Sequence, residues 1–139
     1  MELLGEVANG AALWDLYRSS HAFLHVSFTE GLPQVLFEAK AAGLPIVGTA
    51  VGGVPDALDG GRAGLLVRPD DAAAAVDAVD SLRNDPELRR RLVEAGVANV
   101  RNETLEVQLD RIAAFFRTGL AAGTSGRRVG LARLSAESE

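Results

Sequence analysis

The sequence predicts an α/β protein: a partial, Rossmann-like parallel sheet with helices flanking it. Three observations carry that reading. Short, nearly all-apolar runs of strand length alternate with longer segments whose apolar residues recur at helical spacing, the signature of β–α–β units. The apolar runs lack the in–out alternation of a half-exposed strand, so they read as strands buried on both faces. The composition agrees, with 47% of residues hydrophobic but only 5% aromatic. Ala, Val and Leu dominate, and they suit helices and buried parallel strands better than an antiparallel sandwich.

The elements follow in order. Met1 to Ala8 is too short for a firm reading and is compatible with the end of a strand. Leu13, Leu16 and Tyr17 set a helical spacing over 10–19, with Asn9 as candidate cap. Residues 22–27 are the first buried strand. Pro33 fits the first turn of the next helix, where its missing N–H costs nothing, and that helix runs over 34–42 to a stop at Gly43. Residues 45–49 form a second strand, Gly52-Gly53 a tight loop, and Asp56 to Leu58 one helical turn. A polar turn from Asp59 to Arg62 leads to a third strand over 64–67. Asp70 caps a helix over 71–82 with Val76, Val79 and Leu82 as its apolar stripe. Asp85-Pro86 opens another, with Leu88, Leu92 and Ala95 facing in and Arg89, Arg90 and Arg91 as a solvated face. Thr104 caps the last, on which Leu105, Leu109, Ile112 and Phe116 recur. Residues 1–118 read as one domain. Gly, Ser, Arg and Glu dominate 119–139, which is expected as a disordered tail.

Several function classes drop out. A formal charge of −5 argues against a general nucleic-acid surface. The chain has no cysteine, so disulfides, thiolate metal sites and thiol catalysis are excluded. His21 and His25 are the two histidines, too few for a histidine-rich metal site, and both read as structural. Met1-Glu2 does not begin a secretory signal. No run reaches the roughly 18 apolar residues of a membrane span. The expected location is cytoplasmic.

Parallel sheets bind ligands beyond the C-terminal ends of their strands. The loops over 28–33 and 50–55 emerge there, and they hold the unusual chemistry. Glu30 and Glu38 bracket the start of a helix, and Gly31 lets a ligand approach the backbone. The free N–H groups and dipole at that helix start suit a phosphate or pyrophosphate. Pro33 removes one donor, so Gly31, Leu32 and the amides just after Pro33 carry that task. Glu38 can accept from a vicinal diol such as a ribose 2′ and 3′ hydroxyl pair, and Glu30 from the hydroxyls of a sugar. Gly52-Gly53 offers a second close-approach surface. Two carboxylates for hydroxyls and a helix start for phosphates describe a site for a nucleoside-diphosphate sugar. Taken alone, Glu38 reads as well as a solvated helix residue beside a cation. Trp14 and Tyr17 read as packing their helix on the sheet.

These residues also carry a family resemblance. Leu16-Tyr17 through Ser27, then Glu30-Gly31-Leu32-Pro33, Glu38-Ala39-Lys40-Ala41, Gly43-Leu44-Pro45-Ile46-Val47, Gly52-Gly53 and Gly64-Leu65-Leu66-Val67-Arg68-Pro69-Asp70 occur in one order. Together they resemble the C-terminal, donor-binding domain of the retaining GT-B glycosyltransferases of family 4, over residues 3–118. The resemblance implies sugar transfer from a nucleoside-diphosphate sugar with retention, the sugar being a hexose or hexose-like. It assigns Glu38 to the nucleotide ribose, and Glu30 with the backbone after it to the sugar and phosphates. Glu30 is the candidate catalytic residue; Glu30, Gly31, Leu32, Pro33, Glu38, Gly52 and Gly53 are the candidate donor-binding set.

The family needs no resident cofactor and in general no divalent metal, because cationic side chains and helix ends bear the diphosphate charge. Its C-terminal domain normally begins with two further β–α units that supply those cations, and a separate N-terminal domain holds the acceptor. Leu4-Gly5 resembles only the end of that region, no residue here is matched to those cations, and neither Lys40 nor Arg68 is nominated for the role. The implied partner is an acceptor-binding domain or chain, and membrane association stays open. The other readings are a stand-alone nucleotide-binding module and an inactive remnant. An incomplete sheet is expected to expose an edge and apolar helix surface.

Overall fold

In the computed structural model the described residues are 3–104, 106–107 and 109–115. The order is α1 (Ala11–Ser19), β1 (Phe23–His25), α2 (Gln34–Ala41), β2 (Ile46–Thr49), α3 (Val54–Ala57), a 3₁₀ turn (Asp59–Gly61), β3 (Leu65–Val67), α4 (Ala72–Asn84) and α5 (Pro86–Arg101). The strands form one parallel sheet in the order β1-β2-β3. Leu24 pairs with Val47 and Gly48 with Leu66. The α/β expectation holds, with a three-stranded parallel sheet and flanking helices.

Alternation along β2 builds two apolar layers. Ile46 points into a core with Tyr17, Leu36, Ala39, Leu44, Val54, Ala57 and Leu58. Val47 points the other way, onto Val67, Ala78, Leu82 and Leu92. All four residues of β2 are buried, as a central strand requires.

β1 departs from the expectation of burial on both faces. Phe23 and His25 are half-buried, but Leu24 and Val26 remain 50% and 56% exposed. The reason is its place at the edge: it pairs with β2 alone among the described residues.

Helix ends follow local chemistry, with some shifts from the sequence reading. α1 starts after Gly10, whose φ of 131° no other residue adopts easily, so Asn9 is not the cap. Pro33 sits at the cap position of α2 in extended conformation (ψ 112°), just outside the first turn. Gly43 ends that helix with φ 74°, the left-handed conformation that favours glycine. α3 starts two residues earlier than expected, over Val54–Ala57. Asp71, not Asp70, caps α4: its Oδ1 accepts the Ala74 N–H at 2.9 Å. Asp70 instead makes the turn before it, with φ 61°. Asp85 caps α5 by accepting from the Leu88 N–H at 2.8 Å, with Pro86 in the first turn. Each such cap is worth about 1 kcal/mol.

The inward face of α4 is also different. Ala78 and Leu82 are buried, with Ala74 and Ala75 against the same core, while Val76 and Val79 are 60% and 38% exposed. The valines sit at helical spacing from Leu82, but the small alanines allow the closer approach to the sheet. Arg90 is solvated and pairs with Glu87 and Glu94. Arg89 differs from the expected solvated run: its guanidinium donates to the Leu82 and Arg83 carbonyls, closing the end of α4.

Among the described residues Lys40 is the one buried charged side chain, 1% exposed. Its Nζ donates to the Ala57 carbonyl at 2.7 Å and to Asn99 Oδ1, and stands 4.1 Å over the Phe37 ring. It therefore ties α2 to α3 and α5. Burial pushes the Lys40 ammonium below its ordinary range, against the smaller opposing pull of Glu103 and Asp59.

Met1–Glu103 is one compact unit, and residues from Thr104 onward belong to a second. Residues 3–8 form no strand. In the second unit, 106–107 and 109–115 are helical, and Thr104 Oγ1 accepts from the Val107 N–H at 3.4 Å, the expected cap. The expected stripe positions Leu105 and Phe116, and the 119–139 tail, lie outside the described residues.

Candidate functional site

The site is built where β1 and β2 end. Thr49, the last residue of β2, is 4% exposed and acts as a clasp. Its hydroxyl donates to the Ser27 carbonyl at 2.8 Å, and its Oγ1 accepts the Ser27 N–H at 2.9 Å. The pairing of β1 with β2 is thus extended by a side chain past the last ladder residues. Ser27 then fixes the loop it opens, donating from Oγ to Glu30 Oε1 at 2.7 Å.

The loop closes on its neighbour. The Gly53 N–H donates to the Gly31 carbonyl at 2.8 Å. A β-carbon on Gly52 would stand 1.9 Å from the Glu30 carbonyl oxygen, and one on Gly53 would stand 2.5 Å from that of Gly31. The close approach read from Gly52-Gly53 is therefore taken by the backbone of the 30–32 loop. Gly31 is the opposite case: nothing lies within 4 Å of where its β-carbon would be. The open backbone is on that side.

Glu30, Gly31, Leu32, Gly52 and Gly53 are brought together. Leu32 is 55% exposed and Pro33 is buried. The Leu36 N–H is turned back to the Pro33 carbonyl at 3.2 Å, so the N–H groups of Gln34 and Val35 are those at the open end of α2. Glu38 lies further along α2 and belongs to a different contact: the Tyr17 hydroxyl donates to its Oε2 at 2.9 Å. Burial first, then this bond and the carboxylate's charge, push the Tyr17 phenol up to about 12.

His25 enters the site from β1. Its Nε2 lies 3.0 Å from Glu30 Oε1, and its ring stacks on Phe23 at 6.3 Å. The two atoms are close, but the buried nitrogen has no aligned hydrogen-bond partner among the described residues. Sequence reasoning set His25 aside as structural and Tyr17 as packing, and did not single out Thr49. Period-2 alternation puts Phe23 and His25 on one side of β1, but nothing in the spacing says that the loop folds Glu30 back onto it. Lys40 is turned into the core and Arg68 pairs with Asp71, so neither faces this loop pair.

A cavity of about 410 Å³ lies on the α4 side, lined by Leu24, Val26, Phe28, Thr49, Asp70 and Val76 among others. Glu30, Gly31, Glu38, Gly52 and Gly53 do not line it. No group of three metal-ligating side chains occurs among the described residues, and no helix among them is long and apolar enough to cross a membrane.

A parallel sheet with this helix order and a loop pair at the strand ends is the architecture of a GT-B glycosyltransferase domain. Sucrose-phosphate synthase from Thermosynechococcus elongatus superposes with a TM-score of 0.66 at 29% identity, over 80% of this chain and 28% of that one. The C-terminal domain of a group 1 glycosyl transferase from Francisella tularensis gives 0.64 at 25% identity, over 71% of this chain and 51% of that domain. The chain belongs to the glycosyl transferases group 1 family, whose model matches residues 1–98. A D-inositol 3-phosphate glycosyltransferase from Corynebacterium jeikeium is 31% identical over 81% of this chain and 27% of its own length. The protein of that name from Frankia alni is 40% identical over 58% of this chain and 20% of its own. The chain thus spans about a quarter of the length of the curated relatives it matches.

Proposed function

We propose that the chain is the donor-side part of a retaining glycosyltransferase of family 4, binding a nucleoside-diphosphate sugar and passing a hexose or hexose-like sugar to an acceptor. The observation that carries the reading is the loop pair: Glu30 fixed by Ser27, with open backbone at Gly31 beside the start of α2. In this reading Gly31, Leu32 and the amides after Pro33 take the diphosphate. Glu38 accepts from the ribose diol. Glu30 accepts from sugar hydroxyls near C1, where positive charge develops as the bond to the diphosphate breaks, and its carboxylate opposes that charge. Gly52 and Gly53 act through the loop they hold.

The acceptor site is assigned to a domain or chain outside this sequence. The catalytic step then needs that partner, while nucleotide binding does not. No metal is invoked in the step. The location assigned is the cytoplasm, with attachment to a membrane left to the partner.

The test is an amide-resolved NMR titration of the chain with UDP and then GDP. Shifts confined to residues 30–38 and 52–53 are expected. Dispersed signals that ignore both nucleotides overturn the donor-site reading.

A further inference from the structure

We propose that Tyr17 is a positioning residue for Glu38: its hydroxyl holds Oε2 at 2.9 Å and so presets the carboxylate that meets the nucleotide's diol. The inference rests on the donor-site reading of Glu38 and adds a residue to it from another helix.

A glutamate on a helix surface samples several rotamers, and ordering it on binding weakens affinity. Here the ordering is done beforehand. Tyr17 is 7% exposed and wedged between two rings, Trp14 at 5.9 Å and Phe23 at 5.8 Å, both tilted. Its position is thus set by the core. A carboxylate has about four acceptor sites, and one hydroxyl occupies one of them. Oε1 and the rest of Oε2 stay available, so the bond directs Glu38 without using it up. Tyr17 touches no substrate in this scheme. It acts through Glu38.

A buried phenol also needs a partner for its own sake, and a purely structural role would leave ligand selectivity alone. The experiment separates the two. Binding of UDP and of 2′,3′-dideoxy-UDP is measured by calorimetry for the full chain, Tyr17→Phe and Glu38→Ala. Phe keeps the ring in place and removes only the hydroxyl. Tyr17→Phe is expected to weaken UDP by about three- to tenfold, and to leave the dideoxy analogue unchanged. Glu38→Ala is expected to abolish the preference for the diol.

If Glu38→Ala loses that preference and Tyr17→Phe keeps it in full, positioning by Tyr17 is overturned while the donor site stands. If Glu38→Ala changes nothing, or the unmodified chain binds neither nucleotide, the donor-site reading fails and this one with it. An independent check needs no ligand. Tyr17 is the one tyrosine in the sequence, so tyrosinate absorbance reports it alone. Glu38→Gln must bring its ionisation down in pH. An unmoved titration overturns the bond itself.

Discussion

His25 Nε2 stands 3.0 Å from Glu30 Oε1, on the oxygen that Ser27 already serves at 2.7 Å. Two side chains from the end of β1 thus converge on one carboxylate oxygen and leave Oε2 for a ligand. If Glu30 receives the sugar, loosening it will affect the sugar and spare the nucleotide. Ser27→Ala is expected to weaken nucleotide-hexoses by about three- to tenfold, on the scale of one ordinary hydrogen bond, with UDP and GDP themselves unchanged. Calorimetry with matched pairs of UDP and UDP-hexose, or GDP and GDP-hexose, reads this directly. Equal losses for both members of a pair would take Glu30 off the sugar.

Glu38 and Asp77 are carboxylates on different helices, α2 and α4. Glu38→Ala is expected to weaken nucleotide binding by about tenfold or more, as for a lost charge-assisted hydrogen bond, and Asp77→Ala to leave it unaltered. Equal affinities of the two variants would remove Glu38 from the site.

The two loop glycines predict opposite outcomes. Gly52 has φ 52° and no room for a β-carbon, which would overlap the Glu30 carbonyl. Gly52→Ala is expected to cost on the order of 3 kcal/mol and to push the 30–32 loop away. Gly31→Ala meets nothing in the protein and is expected to stay within about 1 kcal/mol of the parent while weakening nucleotide binding. Chemical denaturation and binding on the same samples check both, and a stable Gly52→Ala protein would contradict the packing described.

The raised phenol of Tyr17 predicts a pH dependence. Its folded value of about 12 exceeds the ordinary 10.0. Below the unfolded value both states are protonated and the contribution is fully present. Between the two values the unfolded chain releases a proton that the folded one keeps. Stability then falls as pH rises, by at most about 1.4 kcal/mol per pH unit for one proton. Denaturation midpoints from pH 9 to 11.5 should show this slope, and Tyr17→Phe should remove it. An identical slope in the variant would assign it to other groups.

Among the described residues β1 offers an unpaired edge beside Leu24, Val26, Phe28 and Val76, which are 50%, 56%, 78% and 60% exposed. Edges next to apolar surface favour association. Sedimentation velocity at rising concentration is expected to show self-association of the chain. A compact monomer throughout would refute it.

Much of this fold is legible in the sequence because its signals are local. Apolar runs mark the three strands, Pro33, Gly43 and Asp85 punctuate the helices, and the order of motifs around Glu30 and Glu38 points to the family. What is not legible depends on neighbours. Val76 and Val79 satisfy helical spacing as well as the alanines do, and only the sheet's closeness decides which face turns in. Leu24 reads as buried because a sequence does not show that its strand is an edge. The loop pair is legible as chemistry but not as geometry. Glycines at 52 and 53 announce a close approach, and the partner in that approach is the Glu30 backbone. Tyr17 and Glu38 are on separate helices, and no spacing rule links them.

The lysine stem between α2 and α5 has a consequence for how this chain can vary. A β-carbon at Gly96 would come within 3.2 Å of Lys40 Cγ, so a larger residue at 96 is tolerable only if the side chain at 40 thins or shifts. The two positions should change together or not at all across lineages. An amino acid late in the chain would then limit which residues can follow Glu38 on its own helix.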